Sequence, residues 1–181
     1  MKITVNGQHY SVTDDKPLLS VLREEIGMLS VKEGCDDATC GTCVVIAGGK
    51  LVKSCSRKTS TFENQEITTT EGLSEREKEV YVEAFGESGA VQCGFCIPGM
   101  VMAGKVLLDK NPDPTREEVS KGIRLDVCRC TGYKKVEEAI LFDDPNPHRH
   151  PLTRYVCHAH FRKIMGPEAD RSIAPSAGLD P

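Results

Sequence analysis

The chain has 181 residues, a formal net charge of -4, an isoelectric point near 5.8, no tryptophan and only 5% aromatic residues. That length suits one ordinary domain or two small ones, and so few aromatics leave little material for a large core, so staples other than apolar packing are expected. The acidic balance excludes a phosphate-neutralising stripe, and with it a nucleic-acid partner.

The opening MKITVNGQHY carries no apolar stretch like that of a leader. The longest apolar runs, CVVIA and VLL, are far too short to span a bilayer, so no membrane partner is expected. The expected location is the cytoplasm, where thiols stay reduced and paired cysteines are metal ligands more often than disulfides.

Residues 1–73 read as a small mixed sheet with one helix. Ile3 and Val5 alternate with polar residues, Asn6-Gly7 is a two-residue hairpin signal, and Tyr10 and Val12 continue the alternation on the return strand. Pro17 opens a helix whose face is Leu18, Leu19, Leu22 and Ile26, with Gly27 as its stop. Gly34 to Cys43 has no period and forms a ligand loop. The runs VVIA and KLVKSC, joined through Gly48-Gly49, read as strands that return Cys55 to that loop.

From Ser74 the period becomes helical, and residues 74–142 read as an all-α domain. Ser74 to Glu77 is a capping box, followed by Val80, Tyr81, Ala84 and Phe85 on one face. A second helix carries Ile97, Met100, Val101, Leu107 and Leu108, with Cys96 at its entrance. Gly104 in its middle costs roughly 1 kcal/mol against alanine and implies close approach of another helix. Asn111-Pro112-Asp113-Pro114 ends it, a third helix starts at Thr115 with Val119 and Ile123 inward, and a fourth runs from Tyr133 to Phe142.

Residues 143–181 are an atypical tail holding six of the ten prolines and four of the five histidines. Without an apolar period the tail reads as an extension with no core of its own, disordered when alone. Cys157, His148, His150, His158 and His160 there form a conceivable zinc set. The abrupt shift in composition favours a Pro-rich extension, or a segment out of its original frame, over that site.

Eight of the nine cysteines fall into two sets of four. Cys35, Cys40 and Cys43 are spaced C-x4-C-x2-C, with Cys55 twelve residues on, which is the ligand spacing of plant-type 2Fe-2S ferredoxins. Zinc fits poorly here, because its ribbons present two cysteines from each of two knuckles. The second set, Cys93 and Cys96 with Cys128 and Cys130, taken alone suits either zinc or iron-sulfur.

Lys32-Glu33-Gly34-Cys35, Cys40 to Cys43 (CGTC), Gln92 to Cys96 (QCGFC) followed by Pro98-Gly99, and Cys128 to Tyr133 (CRCTGY) together resemble the iron-sulfur subunit of the xanthine dehydrogenase family of molybdenum hydroxylases. The resemblance covers Met1 to Phe142 and all eight cysteines. It implies an α+β chain: a beta-grasp ferredoxin-like domain and a four-helix bundle, each holding a 2Fe-2S cluster, with molybdopterin and FAD on partner subunits. In such a complex the molybdenum subunit hydroxylates a heterocycle or aldehyde with water. Electrons then pass singly through the Cys93/Cys96/Cys128/Cys130 cluster, the Cys35/Cys40/Cys43/Cys55 cluster and FAD to an acceptor such as NAD. Gln92 and Cys130 match the family positions that approach the pterin, and a purine such as xanthine is the expected substrate.

No residue of the chain is expected to perform substrate chemistry. A stand-alone zinc adaptor, or a piece of a fused molybdenum hydroxylase, are the alternatives. Two departures stand out. Cys35-Asp36-Asp37-Ala38-Thr39-Cys40 replaces the family's Gly-rich loop, which is expected to lower that cluster's potential, and Ile97 replaces the family's more usual threonine as a packing change.

Overall fold

The computed structural model describes residues 1–35 and 37–141; Asp36, Phe142 and the tail with Cys157 and its four histidines lie outside the described residues. Strands β1 (Lys2–Val5), β2 (Gln8–Ser11), β3 (Val44–Ala47), β4 (Lys50–Lys53) and β5 (Glu66–Thr68) form one mixed sheet in the order β2-β1-β5-β3-β4. The β1–β2 and β3–β4 hairpins are antiparallel, and β5 joins them, parallel to β1 and antiparallel to β3. Val12 lies just past β2, buried, with its N–H on Met1 O.

The helix entered at Pro17 is a short α1 (Leu18–Ser20) that widens into a π-helical stretch, Val21–Ile26. Gly27 closes it at φ +86°, and both Gly27 and Met28 donate their N–H to Leu22 O. The strand expected to reach Cys55 stops at Lys53, and Cys55 instead sits in a 3-10 turn, Ser54–Ser56. Strand β5 has no counterpart in the sequence reading.

Four helices follow: α2 (Glu75–Glu87), α3 (Ile97–Lys110), α4 (Arg116–Ile123) and α5 (Lys134–Ile140). Ser74 and Thr115 both make full capping boxes, with Glu77 and Glu118. Gly104 does permit a close crossing, since a β-carbon there would lie 3.2 Å from Ile140 Cδ1 and 3.8 Å from Tyr81 Cε1. None of the described helices is long and apolar enough to cross a membrane.

Two apolar cores result, and β3 belongs to both. Val45 and Ala47 pack with Ile3, Leu18, Leu22 and Ile67, whereas Val44 and Ile46 pack with the helical residues Phe85, Met100 and Val136. A strand shows alternate side chains to opposite faces, so one fully buried strand joins sheet and helices.

Candidate metal centres

The first set is built by the loop before β3 and by the turn after β4. The sulfurs of Cys43 and Cys55 lie 3.3 Å apart, while Cys35 Sγ accepts the Cys40 N–H at 3.4 Å and is in hydrogen-bonding reach of the Cys40 thiol. The second set is built by the turn entering α3 and by the loop between α4 and α5. Cys93 and Cys130 are 3.5 Å apart and exposed; Cys96 and Cys128 form the other, buried, hydrogen-bonded pair. Eight thiols therefore form four pairs.

This pairing tests what the sites hold. One zinc ion needs four donors about 2.3 Å from a single point, whereas the thiols of each set are arranged as two pairs. A 2Fe-2S group takes two thiolates on each of two irons, and two sulfur pairs per set supply that donor set.

The thiols differ electrostatically. Burial, reinforced by the adjoining Cys43 thiol, pushes Cys55 up to about 12, and burial beside Cys128 does the same to Cys96. Burial also acts on Cys128, but the Thr131 hydroxyl and the N–H groups of Thr131 and Cys130 outweigh it and bring that thiol down to about 7. These donors lie 3.1, 3.3 and 3.4 Å from its sulfur. Cys35 is lowered chiefly by the Cys40 N–H, and Cys130 is raised chiefly by its hydrogen bond with Cys93. Such donors stabilise thiolates and ease metal binding.

Several supporting residues escaped the sequence reading. Thr42 Oγ1 lies 3.2 Å from Cys40 Sγ, as Thr131 Oγ1 does from Cys128 Sγ at 3.1 Å; each threonine follows a ligand within three residues in its motif, the one signal that points to it. Tyr133, at φ +69°, accepts the Cys128 N–H on its hydroxyl at 2.9 Å and donates to Asp126 O at 3.3 Å, clamping the ligand loop. In the Asp-rich loop, Asp37 Oδ1 accepts from the N–H and hydroxyl of Thr39, and Lys53 Nζ donates to Ala38 O at 2.6 Å. An Asx turn and a lysine on backbone carbonyls thus order a loop that has no glycine between Cys35 and Cys40.

The two sets face each other. A cavity of about 670 Å³ lies between them, lined by Cys35, Cys40, Phe95, Cys96, Cys128 and Cys130 among others. The Val127 N–H donates to Cys40 O at 2.7 Å across that boundary. Asp126 beside it is fully buried, neither carboxyl oxygen has a hydrogen-bond partner among the described residues, and burial followed by the Cys128 charge pushes its pKa up to about 8. Gln92 is exposed immediately before Cys93, on the open side of the second set.

Residues 3–74 match the model of a 2Fe-2S iron-sulfur cluster binding domain, and residues 69–141 match that of a [2Fe-2S] binding domain. The chain is 43% identical over 145 residues to the nicotinate dehydrogenase small FeS subunit of Eubacterium barkeri, covering 78% of this chain and 92% of that one. It is 38% identical over 146 residues to the xanthine dehydrogenase iron-sulfur-binding subunit of Escherichia coli O157:H7, covering 78% and 91%. The chain belongs to the iron-sulfur subunits of the xanthine dehydrogenase family of molybdenum hydroxylases. Among solved structures, quinoline 2-oxidoreductase from Pseudomonas putida 86 contains a chain that superimposes on this subunit with a TM-score of 0.76 at 34% identity, covering 87% of the subunit and 96% of that chain. The subunit is thus an electron-transfer component of an oxidoreductase.

Proposed function

We propose that this subunit relays single electrons from a molybdopterin-bearing catalytic subunit to an FAD-bearing partner through two 2Fe-2S clusters. The observation that carries the reading is the resolution of eight cysteines into two facing sets of two sulfur pairs. When bound, each 2Fe-2S group supplies reversible one-electron storage. Cys35 with Cys40 would hold one iron and Cys43 with Cys55 the other; Cys93 with Cys130, and Cys96 with Cys128, would do so in the second set. The exposed Cys93/Cys130 pair and Gln92 mark the side toward the pterin, where the Gln92 amide both donates and accepts hydrogen bonds.

In this reading residues 1–73 are a beta-grasp domain and 74–142 a four-helix bundle, divided where the period changes at Ser74. The hydroxylated substrate, which only the partner contacts, is an N-heteroaromatic ring; the relatives named for nicotinate, xanthine and quinoline support that class. A reducing compartment such as the cytoplasm suits eight thiolates.

Anaerobic reconstitution with iron and sulfide tests the reading. About four irons per chain, a reddish-brown colour and two distinct electron paramagnetic signals are expected; two irons, or a colourless zinc protein, would falsify it. Gln92→Ala should keep both clusters yet slow reduction of the second by substrate in the assembled complex, measured by rapid mixing. Unchanged reduction would remove Gln92 from the pterin contact.

A further inference from the structure

The two ligand sets meet along a seam from which side chains are missing. Gly41, between the ligands Cys40 and Cys43, has φ +77°, and a β-carbon built there would lie 1.6 Å from Leu125 O and 2.9 Å from Asp126 Cα. These are backbone atoms of the segment leading into Cys128, so neither can rotate away. A β-carbon at Gly34 would lie 2.7 Å from Thr42 Oγ1 and 3.1 Å from Cys40 Sγ in its own ligand loop, and 3.2 Å from Phe95 Cε1 across the seam, Phe95 standing between Cys93 and Cys96. The backbone of one ligand loop thus rests directly on the backbone of the other, closely enough for the 2.7 Å Val127 N–H to Cys40 O hydrogen bond.

Binding of the first set does not require this arrangement. Its four sulfurs come from the Cys35–Cys43 loop and the Cys55 turn, and the atom that fills the place of a Gly41 β-carbon, Leu125 O, belongs to the other set's segment. The missing side chain is what permits approach of the second set. Electron tunnelling falls exponentially with distance, so a second ligand loop held off by one methyl group slows the transfer.

We propose that Gly41 is a positioning residue for electron passage: lacking a side chain and tolerating a left-handed backbone, it sets the separation between the two cluster sites, with Gly34 assisting against Phe95. This rests on the two-cluster reading above. It adds that the helical half, and not cluster ligation, dictates the residue at this position of the ligand loop.

The test compares Gly41→Ala with Gly48→Ala in the reconstituted full chain. Gly48 has φ +55° and only Gln65 Oε1, at 3.9 Å, near its missing β-carbon, so Gly48→Ala imposes left-handed strain without touching the seam. Wild type and both variants are expected to hold four irons per chain. With both clusters reduced, the mutual splitting of the two paramagnetic signals should weaken in Gly41→Ala alone, and electron equilibration between clusters after flash reduction should slow at least tenfold. Four irons with unchanged splitting and unchanged rate in Gly41→Ala would overturn the proposal. If Gly41→Ala takes up fewer than four irons while Gly48→Ala keeps four, the proposal is overturned in favour of a purely folding role. Fewer than four irons in the wild type would defeat the two-cluster reading itself, a separable result.

Discussion

The two cysteine sets present the same four-thiol chemistry in opposite settings. The first is embedded, with Cys43 in the core of the sheet and Cys35, Cys40 and Cys55 half-buried. The second is split, with Cys96 and Cys128 buried against the helices while Cys93 and Cys130 stand in the open, among the exposed apolar side chains of Val91, Phe95 and Val127. A protein does not leave metal-binding sulfurs and apolar groups in water together without a reason; an open pair within an apolar rim suits contact with another protein surface. The embedded set faces only its neighbour, and the split set keeps an open side besides.

Removing ligands should break this comparison most sharply. Cys128→Ser takes away the thiol with the most donors, so the second cluster should be lost, iron content should fall from about four to about two per chain, and only one paramagnetic signal should remain. Cys40→Ser should give the converse spectrum. If either substitution abolishes both signals, the two sets are not independent.

The hydroxyl donors separate the sets more finely. Thr131 Oγ1 accepts the Tyr133 N–H at 3.3 Å, which leaves its own proton for Cys128 Sγ, whereas Thr42 Oγ1 divides its proton between Cys40 Sγ and Lys32 O. Donors to sulfur favour the more negative, reduced cluster and raise its potential. Thr131→Val should therefore lower the potential of the second cluster by about 40 mV, the one-electron equivalent of a hydrogen bond of about 1 kcal/mol, and Thr42→Val should shift the first by less. A spectroscopically monitored redox titration distinguishes the two.

The helical half should also be the more acid-sensitive. Burial pushes Glu77 up, but the Lys105 ammonium at 2.8 Å and the Ser74 hydroxyl and N–H prevail and hold it down at about 2. A carboxylate lowered on folding adds stability above its unfolded value near 4.5, and that stability drains away as pH falls toward 2. Glu77→Gln should cost roughly 2 kcal/mol at neutral pH and flatten the decline between pH 4.5 and 2 in thermal melts. The smallest effect belongs to the embedded set. Ala38 sits at φ +60°, where the family's pattern places glycine, so Ala38→Gly should raise stability by about 0.5 to 1 kcal/mol without changing iron content.

Much of this was legible in the residues. The hairpin at Asn6-Gly7, the capping box at Ser74, the helix start at Thr115 and the glycine crossing at Gly104 are local rules, and the structure obeys them. Strand β5 was not legible: Glu66 to Thr68 is three residues with a single apolar side chain, too short to show a period, and pairing with β1 and β3 from far along the chain makes it a strand. The strand end at Cys55 failed for a related reason, since the Ser54 hydroxyl bonds Cys43 O at 2.7 Å and the turn that brings the two sulfurs together replaces the ladder. The cysteine spacing revealed the sets but not their partition into pairs, nor the contact of Gly41 with Leu125, because sulfur pairing and seams are properties of approach in space. The Asp-rich loop was read as simply more negative; in the structure Lys53 also donates to its carbonyls.

The double membership of β3 fixes how the molecule comes apart. Freeing the helices strips cover from Val44 and Ile46, and freeing the sheet strips it from Val45 and Ala47, so neither half loosens without wetting one side of the same strand. Heat should therefore melt sheet and helices in one transition despite the change of period between them. A polypeptide ending at Leu73 would carry an uncovered apolar face in the middle of its sheet and be drawn toward its own copies.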